Sequence, residues 1–256
     1  TFVKSLAESH GLKCHSERVN VGELALEQKK GLELAAREVR HAVFARAMVK
    51  YSAAGVFLGH HADDQAETVL YNLLRGSNGL KGIRSENSMK VGDLEIKMLR
   101  PMLDVRRSEI DAYIKEHELD FREDATNKDP FTARNRIRSE VMPLLQEIMQ
   151  REVVPAINSA ANVSLSQSDY IITQSDYQST LDPQGRLYLP ALVKSPSVIQ
   201  EAILMRYLKE QKVSDLSRSL VLRCLELCDT ANPAKVNLPG NRWLRRKEQR
   251  LFIVEA

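Results

Sequence analysis

Cysteine is scarce in this chain: Cys14, Cys224 and Cys228 are the three among 256 residues. So few thiols suit a soluble protein of a reducing compartment, with a cytoplasmic location expected. Cys224 and Cys228 lie four apart in the helical pattern LVLRCLELC, but two further ligands close by are missing. Buried thiols are therefore expected there, not a metal site. No apolar run approaches the roughly 20 residues that a membrane-spanning helix needs, and no signal-peptide pattern opens the chain. A net charge of +3 is too small to demand a nucleic-acid partner by itself. Internal repeats and low-complexity tracts are absent. Clustered glycine is absent from the first thirty residues too, where Gly11 and Gly22 stand alone. No glycine-rich phosphate cradle lies in that stretch.

What is present centres on one segment, GVFLGHHADDQAETVLYNLLRGSNGLKG, from Gly55 to Gly82. Val56-Phe57-Leu58 suits a short buried strand that Gly59 ends. Ala62, Ala66, Val69, Leu70, Leu73 and Leu74 follow at the spacing of an amphipathic helix. His60, His61, Asp63 and Asp64 thus stand at a strand-to-helix junction. In open α/β sheets ligands bind at such junctions, outside the carboxyl ends of the strands.

Elsewhere the chain alternates. Phe2, Val3 and Leu6 start a helix that Gly11 ends, Leu12 to Val19 reads as a strand, and Leu32 to Ala47 as a long helix. Helix alternating with strand predicts a parallel sheet with crossover helices. Met89 to Val91 and Leu94 to Met98 flank Gly92-Asp93 and predict a hairpin. A helix follows around Ile110 to Leu119, then a polar loop from Phe121 to Arg134. Asn135 to Met149 reads as helical, with a bend expected at Pro143. Spaced apolar residues between Val153 and Leu181 predict a connecting helix, and Asp182 to Gly185 a turn. A short strand, two helices (Val198 to Lys209, Leu216 to Cys228) and two strands (Arg242 to Arg246, Arg250 to Val254) complete the chain. The expected organisation is an α/β domain over 1–150, a connecting segment over 151–184 and a small α+β domain over 185–256.

Asp63, Asp64, Glu67 and Thr68 fall within about one helical turn. Acids at a helix start can simply cap free N–H groups and complement the macrodipole. Alternatively, one or two carboxylates hold Mg²⁺ beside nucleotide phosphates. His-His-x-Asp-Asp also has the ligand types of a two-metal hydrolase, although His10, His15, His41 and His117 have no acidic company. Residue types leave these readings open. Basic residues cluster at Arg134, Arg136 and Arg138 and again at Arg242, Arg245, Arg246, Lys247 and Arg250, as phosphate contacts require.

GHHADDQAETVLYNLLRGSNGLKGI resembles the signature of the PP-loop ATP pyrophosphatases, of the N-type, adenine nucleotide alpha hydrolase-like superfamily. Within them the chain is most similar to the bacterial-type tRNA(Ile)-lysidine synthetase family. GLELAAREVRHAVF, LRPML, EDATNKDPFTARNRIRSEVMPLL and LPGNRWLRRKEQRLFIV resemble further stretches of that family. The resemblance implies a ligase that adenylates the wobble cytidine of tRNA(Ile) bearing a CAU anticodon, then joins free lysine to its C2. ATP and Mg²⁺ are the implied cofactors, and a homodimer is left open. Asp63, Asp64, His60 and His61 are the implied catalytic residues, with Asp63 and Asp64 as the Mg²⁺ ligands. Gly59, Glu67, Thr68 and Arg75 are assigned to the nucleotide, and Arg134, Asn135, Arg136, Arg138 and Lys81 to tRNA. The family's Ser-Gly-Gly-x-Asp-Ser phosphate loop is absent, and its place is expected upstream of Thr1. That absence keeps a catalytically inactive tRNA-binding module as an alternative. A cytidine-thiolating PP-loop enzyme is another, though the cysteines do not pair as it would require.

Overall fold

The computed structural model describes residues 2–122 and 132–255. The chain divides into two compact units, residues 1–160 and 161–256.

In the first unit α1 (Phe2–Ser9) ends before Gly11, whose φ of +65° is the left-handed conformation that glycine tolerates best. Leu12 to Val19 forms no strand, contrary to expectation. Strand geometry needs a neighbour to pair its backbone, and none of the described strands lies in a ladder with it. An unforeseen helix, α2 (Val21–Glu27), starts where the Asn20 side chain accepts from the Glu23 N–H at 3.4 Å. α3 (Leu32–Tyr51) then leads to β1 (Val56–Phe57).

β2 (Glu86–Val91) and β3 (Leu94–Leu99) form the expected hairpin, with Gly92 at φ +60° in its two-residue turn. β1 pairs in parallel with β3 through Val56↔Met98 and Phe57↔Leu99, giving the order β1-β3-β2. The α/β class holds, but the sheet is mixed because β2 reaches β3 by a tight turn and not by a crossover. β1 sits at the edge among the described strands. Phe57 is accordingly 74% exposed, not buried as its apolar run predicts. Met48, Ile96 and Met98 form the core between α3 and this sheet, with Phe44, Val56 and Leu58 packed against them.

α4 covers Ala62–Leu74 as its periodicity predicts. α5 (Arg107–Glu116) follows, and the 121–134 loop expectation falls largely on residues 123–131, outside the described ones. α6 (Ala133–Arg136) continues through a π turn (Ile137–Val141) into α7 (Met142–Met149). Pro143 has no N–H to give the Ser139 carbonyl, so the helix widens just ahead of it. The Met142 N–H reaches back to the Ile137 carbonyl. Ala62, Ala66, Ile137, Met142, Val153 and Val154 bury the contact between α4, the π turn, α7 and the start of α8 (Val154–Gln174).

In the second unit Asp182 to Gly185 makes the expected turn, closed by the Gly185 N–H to the Asp182 carbonyl at 2.8 Å. β4 (Leu187–Tyr188), α9 (Leu189–Leu192), α10 (Ser197–Glu210) and α11 (Arg218–Leu225) precede β5 (Lys235–Leu238), β6 (Arg242–Lys247) and β7 (Arg250–Glu255). The antiparallel order is β4-β7-β6-β5. Strand β5 was not expected, although Lys-Val-Asn-Leu alternates. Leu187, Leu244 and Leu251 from the sheet meet Leu192, Leu204, Leu208, Val221 and Cys224 from the helices.

Two of the C-terminal arginines work inside this unit. Arg242 donates to the Gln211 and Lys212 carbonyls at 2.9 Å each, where α10 ends. Arg246 donates to the carbonyls of Leu227, Asp229, Thr230 and Asn232. Carbonyls left over at helix ends are thereby satisfied by cations. Burial pushes the Cys224 thiol up to about 11 and also raises that of Cys228. Thiolate labelling at pH 8 should therefore be slow at Cys224 in the native protein and rapid after denaturation. Fast native labelling at Cys224 would contradict its place in the core.

Candidate active site

The junction before α4 is built by reciprocal capping. His61 Nδ1 accepts from the Asp64 N–H at 3.4 Å, and Asp64 Oδ2 accepts from the His61 N–H at 3.1 Å. The capping reading of these acids is thus realised for Asp64 Oδ2, with histidine in the place usually held by serine or threonine. Asp63 points away from Asp64, to the start of α5. Its Oδ1 accepts from Arg106 Nη2 at 3.2 Å, and its Oδ2 from Arg106 Nε at 3.2 Å and the Arg107 N–H at 2.8 Å. Burial raises the Asp63 pKa, but these bonds outweigh it and hold the carboxyl below its ordinary value.

Glu67, one turn further along, has a side chain only 3% exposed. Arg138 grips it twice, Nε to Oε1 at 2.6 Å and Nη2 to Oε2 at 2.9 Å, and reaches Asp64 Oδ1 at 2.8 Å. Arg134 Nη2 donates to Thr68 Oγ1 at 2.6 Å, and its Nε lies 4.0 Å from Glu67 Oε2. Arg134 and Arg138 therefore share the face of α6 and the π turn that meets α4. Arg136 faces elsewhere and pairs with Glu140 at 2.8 Å. Thr132 caps α6: its Oγ1 accepts from the Asn135 N–H at 3.1 Å.

This arrangement does not suit the expected Mg²⁺ at Asp63 and Asp64. Each carboxylate oxygen already accepts from an arginine or a backbone N–H, and guanidinium groups stand where a hard cation would need open oxygens. Among the described residues no three His, Cys, Asp or Glu side chains converge on a metal position. The two-metal hydrolase reading has no support for the same reason.

His60 faces different surroundings. Its Nδ1 is buried without a hydrogen-bond partner among the described residues. Burial lowers its pKa first, then Arg100, with Arg134 and Arg40 adding to this and Asp64 opposing. The lowered pKa favours the neutral imidazole at pH 7. Arg100 Nη1 donates to the Arg84 carbonyl at 2.8 Å and to Asn87 Oδ1 at 2.7 Å, while its Nε is buried without a partner among the described residues. Burial and the field of Arg37 lower the Arg100 pKa. Arg40, Arg100 and Arg134 thus act on His60, with Arg37 acting in turn on Arg100, opposite in sign to the acids of α4. Sequence reasoning missed Arg37, Arg40, Arg100 and Arg106 as site residues. The signal was a pair of arginines three apart in LAAREVRHAV, sharing a helix face.

Other expected residues lie apart from this cluster. Arg75 caps the far end of α4, about 20 Å along the helix at 1.5 Å per residue, with its guanidinium 5.3 Å above the Tyr71 ring. Lys81 belongs to a loop folded back along α4, where its carbonyl accepts from Asn72 Nδ2 at 2.7 Å. Gly59 is exposed, and a Cβ there would meet only the Met102 methyl at 3.6 Å. Gly82 is the sterically demanded glycine. A Cβ would lie 2.6 Å from the buried Gln65 amide, whose Oε1 accepts the Ile83 N–H. Gly82→Ala should cost about 1–3 kcal/mol by overpacking and loss of that bond. Urea denaturation checks this, and an unchanged midpoint would contradict the close approach.

Residues 1–145 match the family model described as PP-loop domain. The chain is similar to the tRNA(Ile)-lysidine synthase of Thermus thermophilus, 33% identical over 258 residues, covering 99% of this chain and 48% of that protein. That of Bacillus cereus is 32% identical over 257 residues, covering 94% of this chain and 52% of that protein. For Bacteroides thetaiotaomicron the figures are 31% over 267 residues, 100% and 57%. The chain spans about half the length of these curated relatives. Among the described residues no helix is long and apolar enough to cross a membrane. With more than half of its residues inside the matched model, the chain belongs to the PP-loop domain family.

Proposed function

We propose that this chain carries the catalytic unit of an enzyme that makes lysidine in tRNA(Ile), as its relatives' names state of them, with the CAU-bearing tRNA that the sequence resemblance implies as substrate. The observation that carries the reading is His60: favoured in its neutral form, with a bare buried nitrogen, between an acidic helix start and a set of arginines. ATP supplies the adenylyl group that converts the C2 oxygen of the wobble cytidine into a leaving group, releasing pyrophosphate. The side-chain amine of lysine then attacks C2 and AMP departs with that oxygen.

Each part of the site has a task in this scheme. A lysine ammonium with a pKa of about 10.4 must lose a proton before it attacks. His60 takes that proton, and the imidazolium it becomes is stabilised by Asp64. Arg138 fixes Asp64 and Glu67 in place on α4 beside His60. Arg37, Arg40 and Arg100 neutralise polyphosphate or the tRNA backbone, a role their shared positive field suits. The tRNA substrate implies a cytoplasmic reaction.

The test is direct. The full-length gene product is incubated with ATP, labelled lysine and tRNA(Ile) bearing CAU, and label in the tRNA is measured. ATP-dependent transfer is expected. Intact tRNA binding without transfer would overturn the ligase reading in favour of a binding module.

A further inference from the structure

Asparagine precedes glycine once in this sequence, at Asn78-Gly79 in the segment RGSNGLKG that follows α4. Both residues are exposed, and Gly79 stands at φ +78°, in the left-handed region. The Gly79 carbonyl is tied down, accepting from Ser77 Oγ at 2.7 Å and from the Lys81 N–H at 3.1 Å. The Gly79 N–H is not: among the described residues it meets no acceptor. Gly79 also lacks the Cβ that would hinder a neighbouring side chain from reaching its nitrogen.

Other asparagines are held differently. Asn87 lies in β2, paired with Met98, and its Oδ1 accepts from Arg100 at 2.7 Å. Asn158 lies in α8, and its Nδ2 donates to the Ala62 carbonyl at 2.9 Å. Each is followed by serine within a strand or helix, where the regular backbone keeps the next nitrogen away from the side chain. Segment 75–82 carries Arg75 and Lys81 and no acid. A positive setting of this kind favours an anionic nitrogen and the oxyanion that its attack creates.

We propose that Asn78-Gly79 is a self-modifying site, at which the native chain converts Asn78 to isoaspartate and aspartate without an enzyme. The Gly79 nitrogen loses its proton to hydroxide and attacks Asn78 Cγ. A C–N bond forms there, the bond from Cγ to the side-chain nitrogen breaks, and that nitrogen leaves as ammonia with a proton from water. Water then opens the succinimide at either carbonyl. One opening gives aspartate; the other gives isoaspartate, whose main chain runs through the former side chain. Nothing is oxidised or reduced. Either product sets a carboxylate in the same loop as Arg75 and Lys81, the cations that the resemblance assigns to nucleotide and tRNA. Isoaspartate also lengthens the main chain ahead of Gly82, which is packed closely against Gln65. The effect on RNA rests on the RNA-substrate reading above, whereas the modification itself does not.

In the test, the full-length gene product and its Asn78→Gln variant are aged in mildly alkaline buffer, and peptide mapping by mass spectrometry follows position 78. A synthetic peptide of residues 75–82 supplies the unhindered rate. An exposed loop opens at almost no cost, so the native protein is expected to react within about tenfold of the peptide. Asn87 and Asn158 should stay intact over the same time, and position 78 should stay unmodified in the Asn78→Gln variant. A slower native rate, or modification as fast at Asn87 or Asn158, would overturn the proposal. Aged wild type and unaged Asn78→Asp should both bind tRNA(Ile) about two- to fivefold more weakly than unaged wild type, the worth of one screened charge pair. Aged Asn78→Gln should bind as before. Modification at the expected rate with unchanged tRNA affinity would uphold the site and overturn only its tie to RNA.

Discussion

Arg138→Ala should lose about 3 kcal/mol of stability, measured by urea denaturation. The loss centres on Glu67, whose side chain is 3% exposed and whose two oxygens both accept from Arg138. Removing one partner of a buried pair costs about 3–5 kcal/mol, because the other charge stays buried. The Arg138 side chain is itself 46% exposed, and Arg134 Nε stands 4.0 Å from Glu67 as a weaker substitute. Both place the cost at the low end. Glu67→Gln/Arg138→Met should recover much of the loss by removing both charges. A single variant within about 0.5 kcal/mol of wild type would show that Glu67 does not depend on Arg138. Asp63 adds a pH dependence of known sign. Its folded pKa lies below the ordinary 3.8, so its contribution is full above that value. It is lost as the pH falls through the lowered folded value.

His60→Ala should slow lysidine formation by about 10²–10⁴-fold, the range for a lost general base, while tRNA binding and the urea midpoint stay near wild type. His60→Gln, closer in size, should be as slow. The pH profile separates a base from a filler. Burial and Arg100 lower the His60 pKa from 6.5, so the neutral form persists below that value. The acid limb of kcat/KM should accordingly fall below pH 6.5, and should vanish in the variants. An acid limb at or above 6.5, or a variant retaining a tenth of the rate, would remove His60 from the role. The same shift has a stability counterpart: the contribution is full above 6.5 and is lost as the pH falls towards the lowered folded value.

Much of the fold was legible because local rules governed it. Three-and-four spacing marked α4, Gly92-Asp93 marked the hairpin, and Pro143 marked the break that became a π turn. The site was legible only in part. Asp63 and Asp64 are adjacent in sequence, yet one anchors α5 and the other closes a cap and meets Arg138. The expectation of Mg²⁺ at these two residues counts acids without their partners. Those partners lie 43 residues away for Arg106 and 74 for Arg138, beyond the reach of any periodicity.

By itself the sequence determined the α/β class, the strand-to-helix junction at His60–Asp64 and the two inert thiols, since each follows from composition or short-range spacing. Tertiary structure decided which charges meet. It turned Arg134 and Arg138 onto α4 and Arg136 to Glu140, spent Arg242 and Arg246 on helix carbonyls, and left Lys235, Arg245 and Lys247 facing outward. The reason is physical: a charge acts on what lies within a few ångströms of it, and folding alone decides what that is.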